Sequence, residues 1–311
     1  MTSENIVKCP VCHSKSNYFY ISTNALMHKA NSEKYNFNFC NDCETVFLTN
    51  PVLPTDLDKY YTENYLPYRG ANAWGKFSSF VKNNQKQLDL LRVNLVKKYI
   101  KINDKSIHIL DVGCGNPSFL SVVQKKLQIK CSGIDFTDAG WKGENFTELN
   151  LTKSSIEDFQ TTELFDVITL WHYLEHDYNP QKTIEKLYNC LKPGGKIIIE
   201  VPDYNNIIAK QQNNHWQGWH SPRHISLFSK KSFSVLFSKD KWNIVKHLRY
   251  GTLDAFTLWW LGKMEKKGID WSGSMEGEFW RLVFLKVVTF PFFIFEKIIP
   301  MGVQIIIVEK K

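Results

Sequence analysis

The feature that most restricts the fold is the run Ile107-His-Ile-Leu-Asp-Val-Gly-Cys-Gly115, where a short apolar stretch stops at a glycine turn before helical spacing resumes over 119–127. A strand that turns sharply into a helix must lay that helix on one face of a sheet, which commits the chain to alternating strands and helices. Further apolar strand candidates lie at 129–136, 146–151, 164–171 and 196–202, with a helix over 180–191 ended by Lys192-Pro193-Gly194-Gly195. Upstream, Leu88, Leu91, Leu95, Val96 and Tyr99 recur at helical spacing among polar residues and predict an amphipathic helix over 80–100. The order predicts an α/β fold with a mainly parallel sheet and helices on both faces.

Ligands of such sheets bind beyond the carboxyl ends of the strands. Gly113 and Gly115 let the backbone pass close beneath a ligand, and the helix starting near Ser118 aims free amides at the same place. Asp111 stands at the first strand tip, where a carboxylate attracts a cationic amino group. Asp135 ends Gly133-Ile-Asp135, 24 residues later, and can accept both hydroxyls of a ribose. Together the tips predict a nucleoside site. A dinucleotide is the competing ligand, but a pyrophosphate loop needs a third glycine that this chain lacks.

In succession, DVGCG, GIDF, LFDVITLWHYLEH and LKPGGKIIIEVPD resemble the signatures of class I S-adenosylmethionine (SAM) dependent methyltransferases. The resemblance spans residues 80–250, VQIIIVEK is similar to that family's last strand, and the likeness implies a Rossmann-like, seven-stranded, mainly parallel sheet with helices on both faces. The chain is specifically similar to a bacterial subgroup with an N-terminal Cys₄ ribbon, which also carries the string WQGWHSPRH followed by Leu-Phe-Ser. The resemblance implies that Asp111, Gly113 and Gly115 hold the methionyl part of SAM, Asp135 with Phe136 the ribose, and Ile156 with Glu157 or Asp158 the adenine. It also implies that Leu170 and Trp171 line the methyl-bearing sulfur. Pro117 stands where the family usually has its third glycine; a proline near a helix start is sterically acceptable but removes one donor.

Cys9-Pro-Val-Cys12 and Cys40-Asn-Asp-Cys43 are two C-x-x-C pairs separated by 27 residues, each able to set two thiolates on one tight turn. They predict a structural Zn²⁺ held by Cys9, Cys12, Cys40 and Cys43, with no ligand position left open for chemistry. Residues 16–39 alternate aromatic and polar residues, as hairpin strands with one covered face do, and complete a zinc ribbon. Seven cysteines and a start, MTSENIVKCP, without an apolar signal core argue against a disulfide framework and for a cytoplasmic protein.

Methyl transfer needs an aligned acceptor and, for a hydroxyl, a base. His220 or His224, in the polar and aromatic segment 216–224 after the fifth strand, is the predicted base, with Arg223 positioning an anionic or hydroxylated acceptor. The alternative is a structural loop in which Arg223 pairs with an acid. His172, Glu175 and His176 match a zinc-protease pattern, but they follow a buried strand instead of sitting within one long helix. Mg²⁺ binding at these three, on the model of quinone-pathway enzymes with an acid in first place, competes with a role in shaping the loop.

The expected organisation is a ribbon over 1–50, a linker with a short helix over 51–79, the SAM-binding core over 80–252, an apolar helical insertion over 253–300 and a last core strand over 301–311. The insertion holds the most apolar stretches of the chain, interrupted by Lys286 and kinked by Pro291. It is read as a lid, with a peripheral contact to the inner membrane face as the alternative. The expected activity is O-methylation of a small-molecule, glycan or lipid-linked acceptor. RNA base methylation and a non-catalytic scaffold are the alternatives. The net charge of +8 is diffuse, without the dense basic stripe that nucleic acid requires.

Overall fold

The computed structural model describes residues 7–28, 33–61, 65–100, 106–141 and 146–311. Most of the start inspected for a signal lies outside them. Among the described residues, eleven strands form two sheets. The first sheet contains β1 (Asn17–Thr23), β2 (Tyr35–Cys40) and β3 (Val46–Leu48). The second contains β4 (His108–Val112), β5 (Lys130–Asp135), β6 (Asn150–Lys153), β7 (Phe165–Trp171) and β8 (Leu191–Pro202). The two-residue strand β9 (Ser226–Leu227) joins the first sheet, and β10 (Trp242–Leu248) and β11 (Val303–Lys310) join the second.

The large sheet has the order β10-β11-β8-β7-β4-β5-β6. Its pairs from β8 to β6 are parallel, while β11 runs antiparallel between β8 and β10. The helices are α1 (Leu66–Arg69), α2 (Ser78–Tyr99), α3 (Ser118–Leu127), α4 (Pro180–Cys190), α5 (Ile207–Gln212), α6 (Lys230–Leu236), α7 (Ala255–Lys267) and α8 (Phe279–Phe293). Two differences from the sequence reading have local causes. The third strand starts at Asn150 instead of residue 146, because Phe146 to Leu149 close a turn through Leu149 N–H to Phe146 O at 2.9 Å. Residues 192–195 loop out of the ladder between the pairs Phe165–Leu191 and Val167–Lys196, with Gly194 at φ +73°, so strand pairing already begins before the glycine turn.

Three apolar cores follow from this layout. One covers the sheet face of Leu110, Ile168 and Ile199 and takes in Cys9, Cys40 and Phe47 of the ribbon. A second lies under α2 and α3 on the opposite face, around Val96, Phe119, Val123 and Ile198. The third joins the ribbon residues Tyr35 and Phe37 to Trp216, Trp219 and the insertion residues Phe256, Trp260 and Met264. The ribbon therefore closes no core of its own. Strand β3 pairs with β9, the Thr45 hydroxyl donates to Ser232 at 2.9 Å, and the Ser232 hydroxyl donates to the Cys43 carbonyl at 3.0 Å. On β1, Tyr18 and Tyr20 remain exposed beside Phe39, so the aromatic alternation there does not mark a covered face.

Candidate active site

At the carboxyl ends of β4 and β5 the chain turns at Gly113 (φ +70°) and Gly115 (φ +49°), a backbone region that side chains with a Cβ enter only under strain. The turn is pinned to β5: Gly113 and Cys114 N–H donate to Ile134 O at 2.8 and 3.0 Å, and Gly115 N–H donates to Asp135 Oδ2 at 2.9 Å. The other Asp135 oxygen accepts Thr137 N–H at 3.0 Å. Asp111, 3% exposed, accepts the Thr169 hydroxyl at 2.6 Å. Burial pushes the Asp111 carboxyl up to about 7, against the pull of Thr169 and Arg92, and the neighbouring Asp89 and Asp135 add to the rise. Asp89 and Asp135 are also raised by burial. The site is thus a buried acidic hollow whose electrostatics favour a cationic group.

Asp89 was missed in the sequence. It lies on the helical stripe of Val93, Val96 and Ile100, and an acid inside a buried stripe is the signal that could have found it. A Cβ at Gly115 would meet no atom within 4 Å, whereas one at Gly113 would strike the Tyr173 ring at 2.3 Å. The indole N–H groups of Trp141 and Trp171 are buried without a hydrogen-bond partner among the described residues. Open space over Gly115, stranded donors and acids at both tips make a donor set that suits SAM. Phe136 is 56% exposed beside Asp135, with Tyr61 edge-on at 6.1 Å. Ile156 is buried, and Glu157 beside it is exposed. One placement needs correcting. Leu170 is wholly buried in the core with Val112 and Ile199, because alternate strand residues face opposite sides, and only Trp171 faces the α3 side, where its ring meets Phe119 at 5.4 Å.

Beyond β7, His172 adopts φ +57° and turns the chain into a second polar cluster. Its ring nitrogens lie 3.2 Å from Glu175 Oε1 and 3.2 Å from Glu200 Oε1. Burial opposes charge on His172, but the two carboxylates outweigh it and raise its pKa to about 9. Burial likewise opposes charge on Glu200, yet His172 and Arg92 bring it down to about 2. The Glu175, His176 and His224 ligand atoms lie within 4.8 Å of one another, drawn together from the β7 turn and the 216–224 segment. The second Glu175 oxygen, Oε2, has no hydrogen-bond partner among the described residues.

The two histidines proposed as base differ in what their nitrogens do. His220 Nε2 lies 2.6 Å from the Tyr65 hydroxyl and 3.4 Å from Arg223 Nη1, so its lone pair receives two donors. His224 donates from Nδ1 to Gly218 O at 2.8 Å, which fixes the tautomer and leaves the Nε2 lone pair facing Glu175 Oε1 at 3.9 Å. Burial, followed by nearby positive or polar neighbours, holds both imidazoles well below their ordinary pKa, and both are neutral near pH 7. Tyr61 connects the two halves of the site, since its hydroxyl lies 3.1 Å from His176 Nδ1 and its ring packs edge-on against Phe136.

Arg223 requires a correction: the residue is 1% exposed and its guanidinium donors are taken up by backbone carbonyls instead of being left for an acceptor. It donates to Tyr60 O at 2.9 Å from Nε and to Leu26 O at 2.9 Å from Nη1, and it stacks 4.3 Å from the Tyr65 ring centroid. Its partners are carbonyls, aromatic faces and His220 Nε2, so it ties residues 26, 60 and 65 to the histidine segment. Tyr61 and Tyr65, from the stretch over 51–79 expected to be a linker with a short helix, belong to the cluster; tyrosine density in a polar stretch is the signal that could have found them.

The four cysteines of the ribbon converge as their spacing implies, with Cys9 Sγ to Cys43 Sγ at 3.5 Å and Cys12 Sγ to Cys40 Sγ at 3.4 Å. His13 and Glu44, both at φ +58°, close the two turns by donating their amides to Cys9 O and Cys40 O. Burial and the neighbouring thiols push Cys12 up to about 12, and the Cys9 contact with burial raises Cys43. Four thiols this close together gain from a divalent cation that stabilises the thiolates, and a tetrahedral site with metal–sulfur bonds of about 2.3 Å fits this spacing.

A seven-stranded sheet of this order, with a glycine loop after β4 and acids at the tips of β4 and β5, defines a class I SAM-dependent methyltransferase fold. The chain belongs to the methyltransferase domain family, whose model matches residues 81–247, more than half of its 311 residues. It is similar to the ubiquinone biosynthesis O-methyltransferase of Rickettsia felis, 26% identical over 160 residues that cover 47% of this chain and 62% of that protein. The counterpart from Hydrogenovibrio crunogenus is 30% identical over 147 residues, covering 43% of this chain and 58% of its own. The chain thus spans only about six tenths of the length of these curated relatives. Among solved structures it is similar to a plantazolicin methyltransferase in complex with a monoazolic desmethylPZN analog and SAH, at 17% identity and TM-score 0.48, covering 79% of this chain and 95% of that one.

Proposed function

We propose that this protein transfers a methyl group from SAM to a hydroxyl of a small-molecule, glycan or lipid-linked acceptor. The observation that carries this reading is His224, a neutral imidazole with its Nδ1 proton fixed on Gly218 O and its Nε2 lone pair directed into a polar cluster. Tyr61 joins that cluster to Phe136, beside Asp135. When bound, SAM supplies an electrophilic methyl group. Asp111, with Asp89 behind it, holds the methionyl ammonium; Gly113 and Gly115 allow close backbone approach; Asp135 accepts the ribose hydroxyls. His224 Nε2 takes the acceptor's proton, and Glu175 stabilises the imidazolium that results. His220 acts indirectly, by holding the Tyr65 hydroxyl. The ubiquinone-pathway names of the relatives support a hydroxylated acceptor, and the apolar third core makes a poor track for nucleic acid phosphates.

Within this reading the four cysteines hold a structural Zn²⁺ that fixes β3 against β9. The test is release of S-adenosylhomocysteine by the purified chain when SAM and a metabolite extract of a deletion strain are supplied. Wild type should release it and His224→Ala should not, while both bind SAM equally. Absence of turnover with every extract fraction, despite SAM binding, would favour a scaffold instead.

A further inference from the structure

We propose that the outer face of α8 is a membrane-surface contact that lies in the headgroup boundary of an anionic phospholipid bilayer. Of the 23 large apolar side chains exposed among the described residues, ten fall between 280 and 299. They are arranged, not scattered. Trp280, Phe284, Val287, Pro291, Ile294 and Ile298 follow one another at spacings of 4, 3, 4, 3 and 4 residues, which places them on one helical stripe. Helical turns carry that stripe past the end of α8, through Ile294 N–H to Phe290 O at 3.1 Å and Ile299 N–H to Phe295 O at 2.8 Å. Trp280 is 68% exposed, Val287 69% and Ile298 79%. Isolated exposed apolar residues need no explanation, but a continuous stripe of this length does.

The helix is held with this face outward. Its inner side is already packed: Phe279 stacks on Phe77 at 3.7 Å between ring centroids, and Phe293 meets Phe256 and Trp259 at 5.6 and 5.8 Å. Glu296 points inward and accepts the Ala255 amide at 3.0 Å. A lid closing on its own chain therefore has no free inner surface to close with. Nor does the helix cross a bilayer, since no helix among the described residues is long and apolar enough to do so. It suits an orientation parallel to the surface.

Charge selects the occupant. Arg281, Lys286 and Lys297 flank the stripe and are exposed. Two of these cations meet an acid, Arg281 with Glu278 at 3.7 Å and Lys286 with Asp254 at 3.2 Å, but Glu278 is shared with Lys267 and Asp254 also accepts the Thr257 amide at 2.7 Å, so with Lys297 the border keeps more cations than these two acids offset. An apolar stripe bordered by cations fits a surface of acyl chains and anionic headgroups. A second copy of the chain fits it less well, because a two-fold contact would set the same cations against one another.

The test is flotation of the full chain with vesicles of phosphatidylcholine alone and of phosphatidylcholine mixed with phosphatidylglycerol, with light scattering of the free protein in parallel. The chain should float with the anionic vesicles and lose that binding in high salt. Phe284→Asp combined with Ile298→Asp should abolish flotation while circular dichroism and SAM binding stay unchanged. Arg281→Gln and Lys297→Gln should each weaken partitioning about fivefold. The proposal is overturned if wild type stays unbound with both vesicle types, if the double aspartate variant floats as well as wild type, or if the stripe holds a dimer that the aspartates dissociate. None of these readouts requires methyl transfer, so the proposal stands or falls separately from the catalytic reading.

Discussion

The two halves of the site use opposite electrostatic strategies. At the strand tips, carboxylates are buried and pushed toward their neutral forms, with Asp111 up to about 7, so that a cation entering there recovers their charge. Past β7, imidazoles are buried and held neutral, with one nitrogen of His224 fixed on a carbonyl and the other free to accept a proton. The construction differs as much as the charge. The acidic half comes from adjacent strand tips joined by local turns, whereas the histidine half gathers segments around residues 26, 61, 175 and 223 that lie far apart in sequence. A cofactor end built from local turns should tolerate damage that a long-range assembly cannot.

Removal of the metal proposed at the four cysteines is the strongest challenge to that contrast. Structural zinc in small domains contributes on the order of 10 kcal/mol of folding energy, so chelation or Cys40→Ser should unfold the ribbon and strip β3 from β9. The expected result is complete loss of turnover with SAM affinity retained, read by calorimetry alongside a zinc assay. If SAM affinity falls in step with the zinc, the halves are one cooperative unit and the contrast fails.

Point substitutions then separate the halves directly. Asp135→Ala removes the acceptor of the Gly115 and Thr137 amides and should lower SAM affinity more than about 100-fold, since loop geometry and a ribose partner go together. His224→Ala should leave SAM affinity intact and lower kcat by about 10² to 10⁴, the usual range for loss of a general base. Equal loss of SAM binding in both variants would refute the division. Arg223→Ala is milder: it leaves the Tyr60 and Leu26 carbonyls short of donors and should cost about 3 kcal/mol, read as a lower Tm. An unchanged Tm with lost turnover would return Arg223 to the acceptor.

What the sequence revealed follows the same line between local and distant. The alternation of strands and helices, the glycine loop, the strand tips at Asp111 and Asp135 and the cysteine pairs are written in short motifs whose geometry depends on a few neighbouring residues. Arg223 was placed correctly near the histidines but given the wrong partner, because Tyr60 and Leu26 lie far away in sequence and offer only backbone oxygens. The choice between His220 and His224 turned on Tyr65 and Gly218, which no spacing rule connects to them. The ribbon looked separable because Asn50-Pro51 to Pro54 reads as a linker, yet a core shared with Trp216 and Trp260 leaves no trace in local pattern.

The smallest expected effect is a proton count at Asp111. Its folded pKa of about 7 lies above the ordinary value of 3.8, so the folded apo protein retains a proton that the unfolded chain releases. The sign follows: this group's contribution to stability falls as pH rises from about 4 to about 7. The buried imidazoles of His176, His220 and His224 act in the opposite direction, because their folded pKa values are lowered and folding expels their protons as pH drops below about 6.5. Thermal stability therefore mixes the two halves of the site, but SAM affinity does not. A methionyl ammonium bound at Asp111 favours the carboxylate, so binding below about pH 7 must release a proton, and affinity should fall by up to about tenfold per pH unit there and level off above it. Calorimetry in buffers of different ionisation enthalpy counts that proton. Asp111→Asn should bind more weakly and remove the pH dependence, whereas His224→Ala should leave it in place, and a pH dependence that followed His224 instead would mean that the two halves share one titration.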